Sequence, residues 1–221
     1  MQGKEKQRNQ VKTRQRVTDH GEVFTSQREV HSMLDLVKQE AGRIESRFLE
    51  PACGDGNFLA EVLKRKLMVV ENRYAKSQLE FERYMVLAVS SVYGVDILED
   101  NANECRSRLF GLVDSKYTGL YGNLCKEECR RSVKFLLARN ILWGDALDFT
   151  NPKTKKPIIF SEWSPVNGAM VKRKDYVFQF LVQKSFQTTL FDEDNTAKYF
   201  DKEISEFPLT HFLKLGEDEP N

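Results

Sequence analysis

The hydrophobic positions of this chain follow two periodicities. In several stretches apolar residues recur every three or four positions, which is the spacing of one face of an α-helix. These stretches predict helices over 26–40, 57–66 and 77–92, and two more on the apolar faces Ala102–Leu112 and Cys125–Leu136. Between them stand short apolar runs that end at or beside an acid, typical of buried parallel strands. These runs are Phe48–Glu50, Tyr93–Ile97 and Asn140–Asp145.

Strands alternating with helices are the sequence form of a doubly wound, mainly parallel sheet, so we expect an α/β fold. After residue 150 the pattern changes: Ile158–Trp163 and Ala169–Phe178 are strand-like, with the turn signal Asn167-Gly168 between them. This predicts a hairpin, although the first strand could instead continue the parallel sheet. We therefore divide the chain into a flexible arm, the α/β domain, a basic hairpin extension and an acidic tail, at 1–17, 18–150, 151–190 and 191–221.

Length and composition narrow the class of protein. A chain of 221 residues suffices for one α/β domain with an ample core. No apolar run approaches the about 20 residues that span a bilayer, and the polar N-terminus lacks a signal-peptide core, so we expect a cytoplasmic protein without membrane contact. The four cysteines show no CxxC spacing and the three histidines are scattered, which predicts free thiols and no metal site.

The net charge of +1 is unevenly distributed. Residues 1–16 and 153–174 are basic, whereas the chain from 191 onward is acidic. Basic clusters suit the phosphate backbone of DNA, although a solvated surface is an equally ordinary explanation. Aromatic residues of the predicted hairpin could stack on bases or fill the sheet face; we expect the core role for Phe178 and leave Trp163 open.

The most specific segment is the string Phe48–Leu59, in which a strand ends at Glu50 and turns through Gly54 and Gly56 into a helix. Glycine permits a positive φ and lets a ligand approach the backbone closely. The N-terminus of the following helix offers unpaired N–H groups to a carboxylate. A Gly-x-Gly turn alone is common, but the complete string is much more specific.

This string resembles the S-adenosylmethionine-binding motif of DNA adenine N6-methyltransferases of restriction–modification systems. The resemblance implies a Rossmann-like class I methyltransferase core, which would be incomplete here and followed by the C-terminal hairpin. Upstream, Gly21–Ser26 is similar to the family's N-terminal cofactor motif, usually GEVFTP, in which the Phe24-Thr25 region packs on the methionine half. Ser26 stands in place of the proline.

Two later strand ends complete the implied cofactor site. By the resemblance, Asp96 accepts the ribose hydroxyls, Ile97 covers one adenine face and Asp145 receives the adenine amino group. Taken singly, such acids are more often loop acids or helix caps. We expect Asp96→Ala to weaken cofactor binding while leaving the unliganded chain stable. The predicted cofactor-binding residues are Phe24, Thr25, Glu50, Pro51, Cys53, Gly54, Gly56, Asn57, Phe58, Asp96, Ile97, Asp145 and Ala146.

The resemblance fails at the catalytic motif. Family members carry Asn/Asp-Pro-Pro-Tyr/Phe, which holds the target amine and stacks on the flipped base. No such tetrapeptide occurs here: Asn151-Pro152 matches only its first dipeptide and Ser164–Asn167 is no closer. We therefore assign no catalytic residue. Too few residues follow position 150 for a target-recognition domain.

An intact cofactor half without a catalytic half predicts a split enzyme. This chain would supply the cofactor site, and a second protein subunit would supply the NPPY-type motif and target recognition for methylating adenine in DNA. One alternative is a complete small methyltransferase for a protein or small molecule that uses Glu162 or Asp175. Another is a cofactor-binding pseudoenzyme that regulates a restriction system.

Overall fold

The structure is a computed structural model that describes residues 14–20, 25–179 and 203–217. Its helices are α1 (Arg14–His20), α2 (Gln27–Leu36), α3 (Lys38–Ala41), α4 (Asn57–Tyr74), α5 (Gln78–Ser90), α6 (Glu99–Tyr121) and α7 (Glu127–Asn140), with a 3₁₀ turn at Gly122–Leu124. Its strands are β1 (Phe48–Glu50), β2 (Val92–Asp96), β3 (Ile141–Trp143), β4 (Ile159–Val166), β5 (Met170–Val177), β6 (Glu203–Glu206) and β7 (Thr210–His211). None of the described helices is long and apolar enough to cross a membrane.

The first three strands form a parallel sheet in the order β1-β2-β3. A parallel connection requires a long crossover, and here each one holds two helices: α4 and α5 after β1, then α6 and α7 after β2. The central strand β2 is buried along its whole length, as a strand covered on both faces must be. The expectation of a mixed α/β fold with a parallel sheet is confirmed at this level.

The two faces of the parallel sheet are covered by different structures. Helix α4 lies on the face of Gly94, where an added Cβ would stand 2.9 Å from Leu59. On the opposite face the Tyr93 ring packs edge-on against Phe160 with centroids 5.5 Å apart, and its hydroxyl donates to the Ser161 carbonyl at 3.0 Å. Among the described residues, the β4–β5 hairpin thus occupies a place that helices take in a doubly wound fold.

The hairpin prediction is confirmed. Strand β4 pairs antiparallel with β5, so the alternative that it continues the parallel sheet is wrong. Asn167 and Gly168 in the connecting turn have φ values of 37° and 75°. Asn and Gly enter this left-handed region at the least cost, which is why the turn signal was readable from the sequence.

Three segments differ from the sequence-based division. The predicted helix 26–40 is interrupted at Val37, and α1 begins inside the segment expected to be a flexible arm. Strands β6 and β7 pair with β5, and Phe212 and Leu215 are buried, although 191–221 was expected to be an acidic tail. Burial of these two side chains holds 203–217 on the domain. No periodic pattern in the sequence predicts this burial. Residues 1–13 and 191–202 lie outside the described residues.

Candidate functional site

A cleft of ≈ 470 Å³ opens where β1, β2 and β3 end. Ligands of open parallel α/β sheets bind at these carboxyl ends. The predicted residues that line the cleft are Thr25, Glu50, Pro51, Cys53, Gly54, Asn57, Phe58, Asp96, Ile97, Asp145 and Ala146. Gly56 shapes the turn without lining the cleft, and Phe24 lies outside the described residues. The sequence did not single out the remaining lining residues, Met33, Ala52, Leu98, Asn101, Gly144 and Leu147.

The turn between β1 and α4 needs both of its glycines. Gly54 and Gly56 have φ values of 53° and 85°, in the left-handed region that side chains disfavour. At Gly56 there is also no space, because an added Cβ would stand 2.7 Å from the Cys105 sulfur. Gly56 is the N-cap of α4 and provides no side-chain cap to the first N–H groups of this helix, whose first two residues, Asn57 and Phe58, line the cleft. This arrangement suits an anionic group.

Arg108 on α6 holds the glycine turn in place through hydrogen bonds. Its Nη1 donates to the Asp55 carbonyl at 3.2 Å, to Asp55 Oδ1 at 3.1 Å and to Asn57 Oδ1 at 2.7 Å. Asn57 in turn donates through Nδ2 to the Thr25 carbonyl at 3.3 Å, which connects the N-terminal segment to the turn. No local sequence pattern reveals Arg108, because it reaches the turn across a separation of 53 residues.

Asp96 lines the cleft, yet its carboxylate already accepts three hydrogen bonds. Oδ2 accepts from Gly54 N at 2.8 Å, while Oδ1 accepts from Leu98 N at 2.9 Å and Asn101 Nδ2 at 3.2 Å. Asp96 therefore ties the end of β2 to the glycine turn, a structural role that the sequence did not disclose. The expectation that Asp96→Ala leaves the unliganded chain equally stable does not fit this geometry. Oδ2, with one donor, retains acceptor capacity for a ligand hydroxyl.

The Asp145 carboxylate has more free hydrogen-bond acceptor capacity towards a ligand than the Asp96 carboxylate. Its Oδ1 accepts from Leu147 N at 2.8 Å and Asp148 N at 3.3 Å, which builds a tight turn directly after β3. Its Oδ2 receives no hydrogen bond from any described residue. A ligand amino group could therefore be bound by Oδ2 without breaking an internal bond.

Burial shifts the titration of two other cleft residues. Partial burial raises the pKa of the Glu50 carboxyl, opposed by the hydrogen bond from Ala52 N. A hydrogen bond with Cys105, followed by burial, raises the pKa of the Cys53 thiol strongly. The raised pKa favours the protonated thiol of Cys53, which is the less nucleophilic form.

Three apolar side chains of the cleft are unusually open. Ile97, Leu147 and Met33 are 45%, 88% and 50% exposed. Apolar surface in a cleft with a few polar groups is the usual lining of a site for an aromatic ligand. Only Ile97 was predicted for this role; Leu147 stands two residues after Asp145 and has no periodic signal.

Ser26 explains the departure from the GEVFTP pattern. Its side chain accepts from Glu29 N at 3.3 Å, and its own N–H donates to Glu29 Oε2 at 3.0 Å, which is a complete capping box for α2. The same bonds lower the pKa of Glu29. Residues 21–24 of this motif lie outside the described residues.

No protein-family profile, curated protein sequence or solved structure matches this chain. Any function assigned to the cleft must therefore be argued from its own residues. Within the described ranges, no three His, Cys, Asp or Glu side chains are grouped to hold a metal ion.

Neither remnant of a catalytic motif is available at the cleft. Both ends of the Asn151 amide are engaged in the loop, since Oδ1 accepts from Lys153 N and Thr154 N while Nδ2 donates to the Trp143 carbonyl at 3.1 Å. Ser164–Asn167 belongs to β4 and its turn and does not line the cleft. Both segments therefore have structural roles.

The residues named for the small-molecule alternative are also engaged elsewhere. Glu162 pairs with Arg47 at 2.5 Å, and buried Asp175 pairs with Arg173 at 2.7 Å. Neither carboxylate lines the cleft. Trp163, left open between stacking and core, is 4% exposed and donates to Asn140 Oδ1 at 2.9 Å. It is a core residue, as Phe178 is.

Proposed function

We propose that this chain is the S-adenosylmethionine-binding subunit of a DNA adenine N6-methyltransferase of a restriction–modification system. One observation carries the proposal: residues assigned from sequence to three parts of one cofactor, at three separate strand ends, line a single cleft. Its volume of ≈ 470 Å³ lies within the range of about 300–1,000 Å³ that small-molecule sites occupy.

In this proposal, different residues of the cleft bind different parts of the cofactor. The turn 54–57 and the uncapped N-terminus of α4 would receive the methionine carboxylate. Asp96 Oδ2 would accept from the ribose, and Asp145 Oδ2 from the adenine amino group. Ile97 and Leu147 would contact the adenine ring. The cofactor itself, when bound, supplies an activated methyl group on its sulfonium.

The cleft lacks what a flipped adenine needs. Two asparagines line it: the Asn57 amide is hydrogen-bonded to Arg108 and Thr25, and the Asn101 amide is hydrogen-bonded to Arg16 and Asp96. No free amide therefore stands beside an aromatic ring among the described lining residues. We propose that a partner chain supplies this pair of groups together with target recognition.

Strand β1 offers a place for such a partner. Phe48 N donates to the Ser91 carbonyl, so by alternation along the strand the N–H and carbonyl of Leu49 point away from β2. Among the described residues β1 pairs only with β2, and Leu49 is 45% exposed. An unpaired strand edge recognises another strand through backbone hydrogen bonds. This edge adjoins Glu50 and Pro51, so a docked partner would stand next to the cleft.

The test uses the purified chain with and without the product of the adjacent gene. We expect S-adenosylhomocysteine to bind the chain alone in a calorimetric titration, and Gly54→Val to abolish that binding. We expect N6-methyladenine in DNA only when the partner is added. Equal affinity of wild type and Gly54→Val would contradict the site, and methylation by the chain alone, with host enzymes excluded, would contradict the division between two chains.

A further inference from the structure

The loop between β3 and β4 is unusually well constructed for a surface loop. Asn151 N donates to the Lys156 carbonyl and Lys155 N to the Asn151 carbonyl, both at 2.9 Å. Isolated bridges join Thr150 to Asp145 and to Pro157, which closes the base of the loop. Lys155 has a φ of 55°, a conformation that a lysine adopts only where the surroundings impose it. The loop is therefore a fixed platform.

This platform displays three charges that lack an ion-pair partner. Lys153, Lys155 and Lys156 are exposed, and none lies within salt-bridge distance of a carboxylate of the described residues. We call these three side chains the lysine platform. A rigid backbone holding several like charges in water gains nothing for the fold, because like charges repel. Binding of a polyanion would use the arrangement.

The other basic residues of 153–174 do not share this property. Lys172 and Lys174 both pair with Glu206 on β6, and Arg173 is buried against Asp175. The basic segment seen in the sequence is thus two groups, one engaged in ion pairs within the fold and one without a carboxylate partner among the described residues. Only tertiary structure separates them, since β6 reaches β5 from far along the chain.

The lysine platform stands next to the cleft. Asn151 Nδ2 donates to the carbonyl of Trp143, the last residue of β3, and Asp145 N donates to the Thr150 carbonyl at 2.8 Å. Gly144–Leu147, which follows Trp143 directly and includes Asp145, lines the cleft. A polymer bound by the platform would therefore pass the rim where Asp145 and Leu147 stand.

We propose that the lysine platform binds the phosphate backbone of duplex DNA and holds the duplex beside the cleft. The choice of DNA as the polyanion rests on the proposed function; the unpaired charges and their position do not. Lysine–phosphate contacts set the register of a protein on a duplex without reading sequence. The hairpin lysines 172 and 174, which share an ion pair with Glu206, contribute less.

The experiment compares two double variants of the full chain, each lacking two lysines. Fluorescence anisotropy with a mixed-sequence duplex measures affinity across a salt series for wild type, Lys153→Gln/Lys156→Gln and Lys172→Gln/Lys174→Gln. Each lost phosphate contact lowers the slope of log K against log salt by about 0.9, so the platform variant should lose about 1.8 of slope and up to about 60-fold in affinity near 0.1 M salt. The hairpin variant should stay within about twofold of wild type.

Removing Lys172 and Lys174 leaves Glu206 unpaired, so this control, if anything, exaggerates the contribution of the hairpin. Equal losses in the two variants, or none in the platform variant, would overturn the proposal. So would tighter binding of wild type to anionic lipid vesicles than to DNA. Calorimetry with S-adenosylhomocysteine on the same proteins separates the two proposals: lysine-dependent DNA binding without cofactor binding would refute the proposed function and leave the platform standing.

Discussion

Asp96 is the residue at which the structure changes the design of an experiment. Its carboxylate accepts from Gly54 N and Leu98 N, so a truncation to alanine would leave two part-buried N–H groups without an acceptor. An unpaired buried group costs about 1–3 kcal/mol, and water partly reaches these two, so Asp96→Ala should destabilise the unliganded chain by about 1–3 kcal/mol. Loss of ligand binding in that variant would not distinguish a ribose contact from a loosened turn.

Asp96→Asn is the better perturbation because it keeps the shape and one acceptor oxygen. That oxygen should remain at the Oδ1 position, where Leu98 N and Asn101 Nδ2 both donate. The new Nδ2 then faces Gly54 N and the position proposed for the ribose, so Gly54 N–H lacks an acceptor, which costs up to about 1–3 kcal/mol of stability. Separately, if Asp96 accepts from a ribose hydroxyl, loss of that charge-assisted hydrogen bond weakens ligand binding by about 1.5–3 kcal/mol, which is about 10- to 150-fold in affinity.

The assay is a cycle of two proteins and two ligands. Calorimetry compares S-adenosylhomocysteine with its 2′-deoxy analogue on wild type and on Asp96→Asn. If Asp96 accepts from the 2′-hydroxyl, wild type loses about tenfold or more with the analogue, whereas the variant binds both ligands equally. Loosening of the turn alone would weaken both ligands by the same factor and preserve the wild-type discrimination. Equal discrimination by both proteins would therefore refute the assignment of Asp96 to the ribose.

Two further predictions concern stability. Gly56 has a φ of 85°, and an added Cβ would stand 2.7 Å from the Cys105 sulfur, so Gly56→Ala should lower the free energy of unfolding in urea by about 2–5 kcal/mol. The control Gly119→Ala on α6, where an added Cβ has nothing within 4 Å, should leave that free energy unchanged or raise it by up to about 1 kcal/mol. Equal effects of the two substitutions would contradict the turn geometry. Burial lowers the pKa of the Lys66 ammonium from 10.5 to about 7, whereas the unfolded lysine stays protonated up to about pH 10.4. As pH rises above about 7, wild type should therefore gain stability relative to Lys66→Met, by at most about 1.4 kcal/mol per pH unit. Parallel profiles of stability against pH for the two proteins would contradict the shift.

Local sequence determined a large part of this protein. Helical spacing and short apolar runs placed α4 to α7 and β1 to β3, because these elements bury one face or the whole strand and so leave a periodic trace. The Asn167-Gly168 turn and the Gly54–Gly56 turn were legible for a related reason: few residues adopt a positive φ. Strand ends that share one direction meet at one sheet edge, which is why Glu50, Asp96 and Asp145 could be expected to line the same cleft.

Tertiary structure alone decided how the polar groups are used. Whether Asn151 is a catalytic amide or a loop anchor, and whether Asp96 is free, depends on which donors the fold brings within 3.2 Å. The same holds for the charges: Glu206 pairs with Lys172 and Lys174 and not with Lys153. Arg108 and Leu147 entered the site without any local signal. Hydrogen bonds and ion pairs act over a few ångströms between residues distant in sequence, so their pattern leaves no periodicity to read.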